Sequence, residues 1–349
     1  MLLLYILLSL IYISYSIIET DNKLQEFINY TKKYNKVYPT KEEFYHRFNI
    51  WKENYKKIQS SNQTPKLSPF STRRSPFSIT PPIPTSHFSI NKFADLTQEE
   101  FSSKYLTFNA KNIQNLPTRS SKDLGLDDIK APENFDWEYD RGIKTKIKAQ
   151  HSCSACYAFA AVGAVQSQYL IKYGKNVSFS EQQIIDCDEL NYHCDGGNMK
   201  KAFTYLQNKG LMAEEDYPYI SEAGECKYNE NKALVKVKQF NFVPKNEEEM
   251  KKALYKYGPL AGAINGALTA FYSGGIYDPV IDEICPNIIN HAVLIVGYGV
   301  DKFTGTKFWR IKNSWGTDWG EGGYFRLLRG RGTCGINRYT LIVDVEKTN

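Results

Sequence analysis

The chain has 349 residues, of which 44 are Lys or Arg, 38 are Asp or Glu and 42% are hydrophobic. That is enough for a sizeable core and more than one domain. Residues 17–130 carry 18 Lys+Arg against 12 Asp+Glu, whereas residues 131–349 carry 26 of each. The larger, neutral part therefore has no electrostatic footprint for nucleic acid.

Residues 1–16, MLLLYILLSLIYISYS, form a short apolar run ending in small-x-small. The pattern predicts a cleaved secretory leader, although a basic flank is missing. It is shorter than the roughly 20 apolar residues that span a bilayer, and no later segment is long and apolar enough. The expected product is soluble, has no stable membrane insertion, and follows the secretory route to a lysosome-like vesicle or the medium. Residues 19–62 show aromatic and aliphatic residues at three- and four-residue spacings with only Pro39 as a breaker, which predicts helix. Residues 63–86 are rich in Ser, Thr and Pro and predict an exposed loop. Thr97-Gln98-Glu99-Glu100 has capping-box form. Residues 107–130 carry few apolar side chains and suit an exposed, cleavable connector. The texture changes at "APENFDW", so the domain boundary is expected near Ala131, with a helical part at 17–130 and the main domain at 131–349.

Beyond it, Cys156–Tyr173 reads as a buried helix stopped by Gly174, and Ser180 as a second helix start. "HAVLIVGYG", "FWRIKNSWG" and "GYFRLLRG" read as short strands punctuated by glycine. Helices first and strands later predict an α+β fold with two lobes.

All seven cysteines lie after residue 150. Their odd number leaves one thiol over if six pair. Cys153 and Cys156 stand three apart. A zinc clip needs a second close pair, but Cys187 and Cys194 are seven apart, so no metal site is expected. A redox pair would sit in a small βαβ domain, whereas β texture here comes about a hundred residues later. The third reading makes Cys156 a nucleophile at the first turn of a helix, where the dipole favours thiolate. It needs a base. His151 is too close in sequence and His193 adjoins a cysteine, which leaves His291. Asn313, 22 residues further on, can orient the imidazole.

These residues resemble the papain family of cysteine peptidases, in its cathepsin-L-like branch. The family pattern places His and Asn about 130–150 residues after the cysteine; here His291 is 135 and Asn313 is 157 residues on. "APENFDW" resembles the mature amino terminus, Gln150 the oxyanion-hole glutamine, and "CDGG", with Gly196 and Gly197, the strip that pairs with substrate backbone. "NSWGTDWGEGGYFRL" resembles the segment with the triad asparagine and its covering tryptophan, here Trp315. Upstream, Glu43, Arg47, Trp51, Asn54, Ile58 and Asn62 fall on E-x3-R-x3-[FW]-x2-N-x3-I-x3-N. That is the helix signature of inhibitory propeptides in the family. Asn91, Phe93 and Asp95 match most of its second motif.

The resemblance implies a helical propeptide domain before a two-lobed fold, with a helical left lobe and an antiparallel β-barrel-like right lobe. It implies a cofactor-free, monomeric cysteine endopeptidase acting on proteins and peptides, inhibited by its own propeptide and working through a thioester. It pairs Cys153 with Cys194, Cys187 with Cys226 and Cys285 with Cys334. It lines the main specificity pocket with Met199, Ala263, Ile289 and Ala292 and puts Tyr339 at the floor, so leucine or valine is expected ahead of phenylalanine, and arginine last. No extra insertion lies between Cys187 and Cys226 to block one end of the cleft. The chain departs from the family at Ser154 and Ser89, where glycine is usual, and in the 63–86 insertion. Asn29 and Asn176 open glycosylation sequons; Asn62 opens a third, within the propeptide helix. A catalytically inactive binding protein would usually lack Cys156 or His291. A secreted disulfide oxidant would not expose a single thiol.

Overall fold

The computed structural model describes residues 22–63, 86–109, 116–279 and 288–348. The expected leader, most of the 63–86 insertion with Arg73-Arg74, and Cys285 lie outside them. The described residues form two compact units, one of 22–63 with Ile90–Thr97 and one of 86–89 with Gln98 onward.

The first unit is built on two helices, α1 (22–33) and α2 (Lys41–Gln63). Phe27 is fully buried, with the rings of Tyr30, Phe44, Phe48 and Trp51 at 5.2–5.8 Å. Charge gathers at one point. The Asp95 carboxylate accepts from Tyr30 Oη at 2.7 Å, Tyr38 Oη at 2.8 Å and Lys36 Nζ at 2.8 Å. Arg47 donates to the Asp95 carbonyl at 3.0 Å and to Glu43 Oε1 at 2.6 Å. Asn54 Nδ2 donates to the carbonyls of Ala94 and Leu96. Phe93 is buried and its amide bonds Asn91 Oδ1. Ile58 is buried on the same helix, and Asn62 stands on its last turn. Asn29 is exposed on α1.

The second unit opens with β1 (Ser86–Phe88) and α3 (Gln98–Tyr105), followed by β2 (Phe135–Asp136) and α4 (Trp137–Arg141). Its helical half holds α5 (Cys156–Tyr173), α6 (Glu181–Cys187) and α7 (Met199–Asn208). Helix α5 carries alanines at its buried face and stops where Gly174 takes φ +64° and caps Leu170 O. Ser180 Oγ accepts from Gln183 N to start α6. Then come β3 (Leu211–Met212), β4 (Ala233–Phe242), α8 (Glu247–Tyr257), β5 (Leu260–Ile264) and β6 (Tyr272–Tyr277). Strands β7 (His291–Val300), β8 (Lys307–Lys312), β9 (Tyr324–Leu328) and β10 (Thr340–Lys347) complete it.

The sheet runs β1-β6-β9-β8-β7-β5-β10-β4-β3, with β2 on β7. All its pairings are antiparallel except β6–β9. Strand β7 is buried over nine of its ten residues because α5 covers it. This is the α+β architecture expected from the order of helices and strands.

The 107–130 stretch differs from the exposed connector expected. Phe108, Leu124 and Leu126 are buried, because even a few apolar residues find a place against the sheet and α8. Downstream, Arg310 fixes the entry to the main fold. Its guanidinium lies 3.9 Å from the Tyr324 ring centre and 4.5 Å from that of Tyr139, and pairs with Asp136 at 2.9 Å and Glu138 at 3.1 Å. Arg310→Ala would leave two largely buried carboxylates unpaired and should cost about 3 kcal/mol of unfolding free energy. Arg310→Lys, which keeps the charge but loses the fork and the stacking, should cost less. Denaturant midpoints of the full chain measure both, and equal losses in the two variants would contradict this account.

Candidate active site

Three elements end at one place. Cys156 is the first residue of α5, His291 the first of β7, and Asn313 follows the last residue of β8. All three are buried. His291 Nε2 lies 2.8 Å from Asn313 Oδ1, which also accepts from Ser314 N at 2.8 Å. The Asn313 backbone N–H donates in turn to the carbonyl of Gly323 at 3.0 Å. Gly323 sits at φ +94°, and a Cβ there would come within 2.5 Å of Ile147 Cγ2, so no other residue fits without displacement. Trp315 is 1% exposed and covers the imidazole, with ring centres 4.7 Å apart.

Gln150 is fully buried beside this group. Its backbone N–H donates to Ser314 O at 2.8 Å, and its side-chain Oε1 accepts from Ser314 Oγ at 2.7 Å. Its Nε2 donates to Cys153 O at 3.2 Å. Two disulfides brace the cysteine loop, Cys153–Cys194 and Cys187–Cys226. Cys334 is also disulfide-bonded, and Cys285 lies outside the described residues. Cys156 is the free thiol among the described residues. No cluster among the described residues could hold a metal.

The group is covered by the chain's own residues 101–109. Phe101 and Tyr105 pack edge-on to Trp315 at 5.3 and 6.2 Å. Tyr105 O lies 3.1 Å from His291 Nδ1. Thr107 Oγ1 donates to Ser154 O at 2.9 Å, and Asn109 N to Gly197 O at 2.9 Å. Gly196, at φ +106°, leaves room for this crossing: a Cβ there would lie 2.3 Å from Thr107 O. Phe108 enters the apolar cluster that contains Met199, Ala263, Ile289, Ala292 and Tyr339, with its ring 5.0 Å from that of Tyr339. Tyr339 thus packs on a phenyl ring supplied by the chain itself. Its own ring turns edge-on, at an interplanar angle of 78°.

Burial sets the electrostatics. It pushes the Cys156 thiol up to about 11, against hydrogen bonds from Ala292, Thr107 and Tyr157. It pulls the His291 imidazole down to about 4, outweighing the bonds to Asn313 and Tyr105. The covered pair is thus neutral near pH 7. Asn176 is exposed, but its Nδ2 donates to Lys144 O at 3.1 Å, a bond that a glycan would displace. Sequence reasoning did not single out Tyr105, Thr107 or Phe108. The available signal was the short run Tyr105-Leu106-Thr107-Phe108 ahead of a polar stretch. Nor did it foresee that Ser154, in place of glycine, would donate to Lys104 O at 2.9 Å.

The chain matches a family model described as papain family cysteine protease over residues 131–343, and another described as cathepsin propeptide inhibitor domain over residues 27–101. It is 38% identical over 322 residues to the viral cathepsin of Adoxophyes honmai nucleopolyhedrovirus, covering 89% of this chain and 88% of that one. It is 34% identical over 343 residues to cysteine proteinase 15A of Pisum sativum, covering 94% and 88%. Among solved structures it is similar to digestive procathepsin L2 proteinase from Tenebrio molitor larval midgut, with a TM-score of 0.79 and 30% identity over 92% of this chain and 99% of that one. The chain belongs to the papain family of cysteine proteases and carries the family's cathepsin-type inhibitory propeptide.

Proposed function

We propose that this cysteine protease is a zymogen of the secretory route, delivered to a lysosome-like vesicle or the medium, and an endopeptidase that works through a thioester. The observation that carries the mechanism is the convergence of a free thiol at a helix start with a His291–Asn313 pair 2.8 Å long. The disulfides support an oxidising compartment.

With residues 98–109 gone, Cys156 and His291 regain solvent and form a thiolate–imidazolium pair. The thiolate attacks the substrate carbonyl carbon. The side-chain amide of Gln150 and the Cys156 N–H stabilise the oxyanion, a donor being worth about 3–4 kcal/mol. The C–N bond then breaks, His291 gives its proton to the leaving amine, and a thioester remains. Water, deprotonated by His291, hydrolyses the thioester and restores the thiol. Asn313 positions the imidazole throughout. Gly196 and Gly197 pair with substrate backbone, and the Met199, Ala263, Ile289, Ala292 and Tyr339 pocket takes the side chain one place before the scissile residue.

Cys156→Ala and His291→Ala should each leave a folded, disulfide-bonded protein without measurable peptidase activity after acid treatment. Activity surviving in Cys156→Ala would exclude this mechanism.

A thiol held near 11 is ionised in roughly one molecule in ten thousand at pH 7, and that fraction grows tenfold per pH unit up to about 11. Iodoacetamide should therefore label Cys156 slowly in the intact chain, with a rate that climbs through pH 9. After processing, labelling should be at least a hundredfold faster at pH 7 and nearly flat from pH 6 to 8. Equal rates before and after processing would show that residues 98–109 do not suppress the thiolate.

Ser154→Gly removes one hydrogen bond to the covering segment, worth about 1 kcal/mol. Labelling of the intact variant at pH 7 should be about fivefold faster than that of the parent. An unchanged rate would deny Ser154 this role.

The pocket is apolar and carries no acid, so arginine would bury an unpaired charge. Phe108 against Tyr339 supports a phenyl ring as a good occupant. In matched fluorogenic peptides, phenylalanine should equal or exceed leucine, and arginine should be at least about tenfold poorer in kcat/KM.

A further inference from the structure

Residues 116–130 belong to neither matched family model, yet they are built onto the second unit. Leu116 packs against its core. Thr118 bridges to Phe242, and Arg119 N donates to the Phe242 carbonyl at 3.2 Å. The chain then turns at Gly125, with φ +56°, and buries both neighbouring side chains: Leu124 is 5% and Leu126 0% exposed. Two side chains at the end of α8 hold the backbone here. Tyr257 Oη donates to Leu124 O at 2.7 Å, and Lys256 Nζ donates to the carbonyls of Leu124 and Gly125 at 2.9 Å each. A connector waiting to be discarded needs none of these contacts.

The contacts also restrain the bond at which processing is expected. Lys130 is exposed, but the chain is anchored on both sides of it, at buried Leu126 and at Phe135, which pairs with Tyr298 of β7. Eight residues, 127–134, lie between these anchors and reach at most roughly 26–29 Å when fully extended. A protease binds its substrate as an extended strand. Held at both ends, so short a segment has little slack to enter a cleft around the Lys130–Ala131 bond, and lifting one anchor supplies it. The opening, not the bond's exposure, then governs cleavage.

We propose that residues 116–130 stay on the active enzyme as an N-terminal strap, so that the cut releasing the first unit falls upstream of Leu116 and not at Ala131. This rests on the zymogen reading above.

Two arms test it, and one of them is independent of self-processing. In the first, the full chain is activated at acid pH, and the active product is examined by intact mass and N-terminal sequencing. The expected product begins at or before Leu116, and the Leu124→Asp/Leu126→Asp variant gives a product beginning near Ala131. A wild-type product that begins near Ala131 and has lost residues 116–130 overturns the proposal. In the second arm, trypsin is added to the full-length Cys156→Ala protein, which cannot process itself. Cleavage after Lys130 should be at least about tenfold slower than in the same protein carrying Leu124→Asp/Leu126→Asp. Equal rates overturn the strap. If trypsin resistance holds while the wild type fails to activate, the zymogen reading fails and takes the retained strap with it, although the anchoring of residues 116–130 stands.

Discussion

The packing of α5 on β7 is the contact on which the site depends. Thirteen residues of α5 are buried, and Gly163 lets the helix approach until a Cβ there would lie 3.2 Å from Leu294 Cδ2. Because Cys156 begins one element and His291 the other, this one contact brings a thiol and an imidazole to the same edge. The third member comes from β8, bonded along β7 from Leu294↔Lys312 to Val300↔Lys307. A shift of one residue in that register would turn Asn313 away from His291. Sheet hydrogen bonds thus fix the Asn313–His291 distance, and helix packing fixes the cysteine. Neither depends on the side chains that do the chemistry.

The covering segment uses the same groups that a substrate would need. Tyr105 O is within hydrogen-bond distance of His291, Ser154 donates to Lys104, and Asn109 N donates to Gly197 O. Desolvation then keeps thiol and imidazole uncharged. Hydrogen bonds at both groups favour the charged forms, but burial outweighs them.

Much of this was legible in the sequence, for reasons that differ by residue. Cys156, His291 and Asn313 stood out because few histidines were available and the cysteine count was odd. Only part of the Asp95 hub was visible as spacing: Glu43, Arg47 and Asn54 recur on one face of α2, but Tyr30, Lys36 and Tyr38, which bind the carboxylate, follow no such pattern. The covering role of Thr107 and Phe108 was not visible. Their contacts are with Ser154, Gly197 and Tyr339, far away in sequence, and a single buried phenylalanine leaves no periodic trace. The buried Leu124 and Leu126 were missed because three leucines spread over the fifteen residues 116–130 read as loop composition.

The manner in which α3 ends has a thermodynamic consequence. A helix leaves its last carbonyls without partners. Here the carbonyls of Ser103 and Lys104 accept from Ser154, and that of Tyr105 faces His291. The enzyme's own active-site side chains therefore serve as the C-terminal cap of the inhibitor's helix. At eight residues, that helix is far shorter than the roughly 12–15 needed for marginal stability alone in water. Once it leaves the cleft it loses its cap and unwinds, so returning requires refolding as well as docking. Release of the segment works as a ratchet: departure is assisted by the disorder that follows it, and return is opposed by the same disorder.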